Sequence, residues 1–203
     1  MTITKSELRQ TALRARRALK AEELARLSRR VARNLSSLPE FEEARTIAAY
    51  VAKEDEVQTA QIIQRAVRDG KRVIVPRTES SPKRLRFFEI QALDELSPGS
   101  FGVLEPTPKT VRGSVPVPIG ESDVILVPLV AWDDLGNRIG YGKGYFDAEL
   151  GYRRSSTAIG LALEAQRVDR VPATESDVPL DVLVTESRVL RFPERKLAGP
   201  PRQ

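Results

Sequence analysis

The stretch from Val124 to Leu150, VILVPLVAWDDLGNRIGYGKGYFDAEL, constrains the fold more than any other part of the chain. Val124 to Val127 is a run of branched apolar residues closed by Pro128, the pattern of a buried strand. The segment after it is polar and punctuated by glycine, and helical character resumes at Tyr145. A strand that hands over to a glycine loop and then to a helix start makes a phosphate site. Gly140, Gly142 and Gly144 allow positive φ and close approach of the backbone, while unpaired N–H groups at the helix start face an anion. Arg138 and Lys143 add two cations to the same loop. An isolated G-x-G-x-G reads equally well as a tight turn. The crowding of Arg138, Lys143, Tyr145 and Asp147 into ten residues favours the phosphate reading, because a turn has no need of so many charges. No Gly-Lys-Ser/Thr follows the glycines, so the loop is not of the Walker A type.

The remaining periodicities place that unit in a larger fold. Thr4-Lys5-Ser6-Glu7 has the form of a capping box and starts a helix at about Lys5, with apolar positions Leu8, Ala12, Ala15 and Leu19. A second helix, Glu22 to Leu35, presents Leu24, Leu27, Val31 and Leu35 on one face and closes before Pro39. Thr46 to Val51 reads as a strand, Thr59 as the cap of a helix that Gly70 stops, and Arg72 to Val75 as a second strand. This β-α-β order implies a right-handed crossover and a parallel pair. Further strands are expected at Leu85 to Ile90, Asp123 to Val127, Thr157 to Leu163, Val182 to Thr185 and Arg188 to Phe192. The proline- and glycine-rich segment from Leu93 to Glu121 is expected to be a loop around the cleft. The expected fold is α/β, a three-layer Rossmann-like sandwich with a mostly parallel sheet, forming one domain over residues 1–192 with a disordered tail at 193–203. Ligands bind such sheets at the carboxyl ends of the strands, so the loops after Val51, Val75 and Val127 should converge on the site.

Composition narrows the chemistry. The chain has 203 residues with no cysteine and no histidine, which removes disulfides, thiolate nucleophiles, imidazole bases and the usual zinc sites. Oxygen ligands and carboxylates remain, a set suited to Mg²⁺ with phosphates. No apolar run approaches the ~18 residues that a membrane span needs, and the N-terminus has no apolar signal core, so a cytoplasmic protein without membrane contact is expected. The net charge of +5 suits an anionic partner. A nucleic-acid-binding module would need an aromatic face or a recognition helix, and aromatic residues make up only 5% of the chain.

Taken with Val127-Pro128, the run Gly136-Asn137-Arg138-Ile139-Gly140-Tyr141-Gly142-Lys143-Gly144-Tyr145-Phe146-Asp147 resembles the ATP-binding loop of the 5-formyltetrahydrofolate cyclo-ligase (methenyltetrahydrofolate synthetase) family. Similar agreement extends to Lys5 and Arg9, Asp55 to Thr59, Pro76-Arg77, Phe101 to Pro106 and Glu175-Ser176-Asp177 before Leu180-Asp181. The resemblance implies the sheet of the sugar-isomerase and CoA-transferase group and an enzyme that closes 5-formyltetrahydrofolate to 5,10-methenyltetrahydrofolate with ATP and Mg²⁺. Lys5 and Arg9, four apart on a helix, then grip ATP phosphates; otherwise they are a solvated basic face. Arg138, Lys143 and Asp147 become the catalytic group, with Gly140, Gly142, Gly144 and Tyr145 completing the ATP loop. Asp147 and Asp177 become magnesium ligands, where their alternatives are a first-turn aspartate and an Asx-type turn. Val51, Glu56, Phe101, Tyr141 and Tyr145 become the folate wall, although Glu56 alone reads as part of a solvated acidic loop. Tyr141 stands where some relatives carry arginine. The partners implied are small molecules, reduced folate and ATP, acting on a monomer. A catalytically idle relative that keeps the nucleotide pocket as an interaction protein is the rival reading.

Overall fold

A computed structural model describes residues 3–153 and 155–193. Its first element, helix α1 (Lys5–Arg17), starts on the expected capping box: the Thr4 hydroxyl accepts from the Glu7 amide at 3.3 Å and the Glu7 carboxylate accepts from the Thr4 amide at 2.8 Å. Helix α2 (Ala21–Ser36) buries Leu24, Leu27, Val31 and Leu35, a stripe at helical spacing. A short α3 (Pro39–Glu43) follows, with Pro39 in the first turn where its missing N–H costs nothing.

Strand β1 (Thr46–Ala48), helix α4 (Ala60–Arg68) and strand β2 (Arg72–Ser80) form the expected β-α-β unit, with β1 and β2 parallel in the register Ile47 to Val73. Three departures from expectation bear on the site. The first strand leaves its ladder after Ala48, and the chain from Ala49 to Val51 runs on towards the site. The second strand continues through Pro76 because it pairs antiparallel with β3 (Lys83–Ile90), Pro76 facing Phe87, after its parallel partner has ended at Ala48. Thr59 occupies the cap position of α4 without capping it. Its hydroxyl instead donates to the Tyr50 carbonyl at 2.8 Å and accepts from the Ala52 amide at 3.1 Å, which ties down the loop after β1.

The segment expected as loop carries a small hairpin, β4 (Leu96–Pro98) with β5 (Leu104–Pro106), and the short helix α5 (Pro108–Arg112). Strand β6 (Val124–Val127) then enters the sheet beside β1. After it, where the sequence predicts loop, comes a second hairpin, β7 (Ala131–Trp132) with β8 (Arg138–Ile139), and then α6 (Tyr145–Leu150). The chain closes with β9 (Thr157–Leu161), β10 (Val182–Val184) and β11 (Val189–Arg191).

The central sheet has seven strands in the order β11-β10-β9-β6-β1-β2-β3, parallel from β10 to β2 and antiparallel at both ends. Alternate residues of its strands feed opposite cores. Ile47, Val73, Val124 and Leu126 pack with α2, α3 and α4, whereas Ala48, Ile74, Ile125 and Val127 pack with Trp132 and Leu150 on the other face. Helix α1 lies outside both, its Ala12 against Val130, Ala131 and Ile139 of the β7–β8 hairpin. The free edge of β3 is met by Val117, whose amide donates to the Phe87 carbonyl at 2.8 Å. Among the described residues no helix is long and apolar enough to cross a membrane. Of the tail expected to be disordered, all but Pro193 lies outside the described residues.

Candidate active site

A cavity of about 810 Å³ opens at the carboxyl ends of the parallel strands, where Tyr50 and Val51 follow β1, Pro76 extends β2, and Pro128 follows β6. The loops after Val51 and Val127 converge as expected, whereas after Val75 the strand itself continues and brings Pro76 and Thr78 to the cavity. The cavity is completed by α1, the glycine loop, the start of α6, the β4–β5 tip and residues 175–178.

Every residue singled out in the sequence lines this cavity: Lys5, Arg9, Val51, Glu56, Phe101, Arg138, Gly140, Tyr141, Gly142, Lys143, Gly144, Tyr145, Asp147 and Asp177. Helix α1 brings its cations in along one stripe. At ~100° per residue, positions 5, 9 and 16 fall within about 40° of one another around the axis. Lys5 pairs with Asp177, whose Oδ2 also accepts from the Thr174 amide at 2.6 Å and its hydroxyl at 2.9 Å. Burial works against ionisation of Asp177, but Lys5 and Thr174 together hold its carboxyl below the usual range. Arg9 donates from Nε to the Gly140 carbonyl at 2.8 Å. Lys5 and Arg9 are therefore neighbours on the helix with different anchors, Asp177 and the glycine loop.

The glycine loop departs from expectation in one respect. Gly142 (φ 83°) and Gly144 (φ 73°) take positive φ, the second as the residue before α6, but Gly140 does not. A Cβ at Gly142 would also press on the Arg9 guanidinium at 3.3 Å. At Gly140 a Cβ would meet no protein atom within 4 Å, so a glycine there leaves room for whatever enters the cavity.

Arg138 sits on β8 with its side chain only 3% exposed, donating to the Val178 carbonyl at 2.5 Å and to Asp147 Oδ1 at 2.9 Å. Asp147, in the first turn of α6, also accepts from the Val178 amide at 3.3 Å through Oδ1. Among the described residues no protein donor bonds Asp147 Oδ2 or Asp177 Oδ1. Two cavity-lining carboxylates that each keep one oxygen without a protein donor among the described residues fit a hard cation completed by phosphate and water, and no cluster of three or more acidic, histidine or cysteine residues offers a protein-only cage among the described residues.

The cavity also has an aromatic lining. Phe101 is 54% exposed at the tip between β4 and β5 and is the sole non-glycine residue with positive φ among those described, at 57°. Such a conformation costs of order 1 kcal/mol and marks a position held for a purpose. Its ring lies 6.1 Å from that of Tyr145, and the Lys143 ammonium stands 5.5 Å from its centroid. Glu56, expected on a solvated loop unless the resemblance holds, is 5% exposed, with Oε2 accepting from the Lys53 amide at 2.7 Å. Tyr141 lies beside it, with the Lys53 ammonium 4.6 Å from its ring centroid.

Two contributors escaped the sequence reading. Arg16, counted only as part of the basic excess, is 2% exposed and reaches Tyr141, Asp55 and the Leu129 carbonyl. Its place on the Lys5–Arg9 stripe was the available signal. Asp133 is fully buried and accepts from the amides of Leu135, Asn137 and Val171, which shapes the hairpin that carries Arg138. That role depends on a partner 38 positions away, beyond the reach of local pattern.

Parallel sheet, carboxyl-edge cleft, glycine loop and clustered cations define a class: an α/β protein with a cationic, glycine-lined cleft. The chain belongs to the 5-formyltetrahydrofolate cyclo-ligase family, whose family model matches residues 1–186. It is similar to the 5-formyltetrahydrofolate cyclo-ligase of Escherichia coli K12, 32% identical over 86% of this chain and 96% of the relative. The solved 5,10-methenyltetrahydrofolate synthetase of Aquifex aeolicus is 34% identical, with a TM-score of 0.82 over 96% of this chain and 95% of that one. That of Mycoplasma pneumoniae, 24% identical with a TM-score of 0.72 over 91% and 99%, shares the fold. The resemblance, the α/β fold and the assignment to an enzyme family of ligases are thereby borne out.

Proposed function

We propose that the protein joins nitrogen 10 of 5-formyltetrahydrofolate to its formyl carbon at the expense of ATP, giving 5,10-methenyltetrahydrofolate, ADP and phosphate. The observation that carries this reading is one cavity lined by two unlike sets of residues. One set is Lys5, Arg9, Arg138 and Lys143 with Asp147 and Asp177; the other is Phe101, Tyr145 and Tyr141 with the buried carboxylate of Glu56. A polyphosphate suits the first and a flat, amide-rich ring the second. Family membership supplies the substrates that match.

The formyl oxygen attacks the γ-phosphorus, a P–O bond forms, and the bond to the bridging oxygen breaks with its electron pair leaving on ADP. Nitrogen 10 then attacks the activated carbon, and the C–O bond breaks as phosphate departs. Loss of the nitrogen 10 proton leaves the methenyl bridge. Phosphoryl transfer asks mainly for alignment and charge neutralisation, which Lys5, Arg9, Arg138, Lys143 and the amides of the Gly142–Gly144 loop would provide. Asp147 and Asp177 would hold Mg²⁺, which when bound adds positive charge against the phosphate oxygens. Glu56 would accept hydrogen bonds from the ring's amino and N–H groups, with Phe101 and Tyr145 offering aromatic surface for it to lie against. The test is direct: purified protein with 5-formyltetrahydrofolate and Mg-ATP should develop the methenyl absorbance with one ADP per ring closed. Absence of both signals at saturating substrates refutes the reading.

A further inference from the structure

The face of α1 that meets the cavity holds a buried cation for which the reaction gives no role. Arg16 does not line the cavity, yet it is almost wholly enclosed and makes three contacts of one kind, each ending on a wall residue or its support. It donates to the Tyr141 hydroxyl at 2.6 Å, pairs with Asp55 at 2.9 Å and reaches the Leu129 carbonyl at 3.3 Å. Among the described residues its buried Nε–H has no acceptor. A buried guanidinium with one N–H unmet is a poor way to stabilise a helix face, since an apolar side chain of similar volume does so as well or better.

What an apolar side chain cannot do is fix the polarity of a hydroxyl. Arginine only donates, so the Tyr141 oxygen must accept from it, and the phenolic proton is left for another acceptor. Glu56, which lines the same cavity as Tyr141, is the carboxylate whose charge that phenol feels. The Lys53 residue joins the two groups, its amide on the Glu56 carboxylate and its ammonium over the Tyr141 ring. Burial, and after it the charge of Glu56, push the phenol above its ordinary value against the pull of Arg16, so the hydroxyl keeps its proton and stays a donor. No cation forms an ion pair with Glu56 among the described residues.

We propose that Arg16 is a positioning residue for the folate end of the cavity: by accepting nothing and donating to Tyr141, it turns the tyrosine hydroxyl towards Glu56 and holds that carboxylate in the orientation that meets the reduced folate ring. The assignment rests on the folate reading of Glu56 given above and adds to it Arg16 and a role for the Tyr141 hydroxyl, neither required for phosphoryl transfer.

The experiment compares the parent with Arg16→Met, Arg16→Lys, Tyr141→Phe and the Arg16→Met/Tyr141→Phe double variant. Steady-state methenyl formation gives separate Michaelis constants for folate and ATP, and calorimetric titration of 5-formyltetrahydrofolate gives affinity without turnover. Arg16→Met and Tyr141→Phe should each raise the folate constant by about tenfold, leave the ATP constant within about twofold, and combine without addition, because both break one chain of contacts. Arg16→Lys, which restores a donor, should recover part of the loss. Tyr141→Phe removes one oxygen and keeps the packing, so it carries the test if Arg16→Met folds poorly. Additive losses, equal losses for both substrates, or an unchanged folate constant would overturn the proposal while leaving the cyclo-ligase reading intact. A parent without turnover would instead refute that reading, and calorimetry would still decide the role of Arg16: a parent that binds no folate, or variants that bind it as the parent does, would end it.

Discussion

Replacing Asp147 by asparagine separates chemistry from folding. The asparagine keeps the shape and an oxygen that can accept from Arg138 and from the Val178 amide, contacts now made at 2.9 and 3.3 Å. What folding loses is the charge in one ion pair. A charged hydrogen bond exceeds a neutral one by roughly 1 kcal/mol, and with the Asp147 side chain 33% exposed solvent screening reduces that further. A loss below ~1 kcal/mol lowers the melting temperature by only about 2–4 °C in a chain of this size. Arg138 is itself nearly buried, and the remaining Val178 carbonyl keeps it partly satisfied. The effect on catalysis should be far larger. If Asp147 Oδ2 is a magnesium ligand, its loss should weaken metal use by at least the ~10–100-fold typical of residues one layer further out. Magnesium titrations of methenyl formation beside thermal unfolding curves give the two quantities. A variant with the parent's turnover and the parent's half-saturating Mg²⁺ would refute the metal assignment, and a large fall in melting temperature would refute the estimate of the pair.

At the other end of the cationic group, Lys5→Ala and Arg9→Ala should each raise the Michaelis constant for ATP about 10–100-fold while the folate constant stays near the parent's, at ~1.5–3 kcal/mol per charged hydrogen bond; equal ATP constants would return both residues to the solvated face. Glu56→Gln sets a donor against the ring's donors and should raise the folate constant by a factor corresponding to ~1–3 kcal/mol, whereas the exposed Glu54→Gln should be silent, and matching behaviour of the two in kinetics would move the ring elsewhere. Glu149 tests pH. Burial raises its carboxyl above the ordinary 4.5 despite the Leu85 amide and Arg84, so its favourable share is present below that value and lost as pH rises through the folded value. Glu149→Gln should therefore melt higher than the parent at neutral pH, with the difference closing towards pH 4.5, and a pH-independent difference in melting temperature would contradict the assignment.

The parallel sheet was legible because its strands are short branched runs buried on both faces, and Val124 to Val127 could be little else. The site was legible for a related reason: glycines, cations and carboxylates concentrate after that strand, and family resemblance assigned them roles. The missed features share a dependence on distant groups. The β7–β8 hairpin has two residues per strand and owes its loop to Asp133, which the Val171 amide helps to fix. Thr59 looked like a cap because nothing local reveals that the Tyr50 carbonyl would claim its hydroxyl. Glu56 looked solvated because three of its neighbours are charged, although the loop folds it inward over Lys53.

The two borders of the central sheet bear on how the protein behaves when concentrated. An unpaired strand offers a row of N–H and C=O groups onto which another chain can crystallise as an extra strand. At β11 that row is three residues long and ends in Arg191, which is pinned to Glu40. At β3, the longer border, Lys83, Arg84 and Arg86 bring charge, and Val117 has already taken the Phe87 carbonyl in mid-strand. The loop that wraps the cleft thus also acts as a stopper against growth of the sheet, so shortening it around Val117 should show first as turbidity on storage or heating, before any change at the cavity is felt.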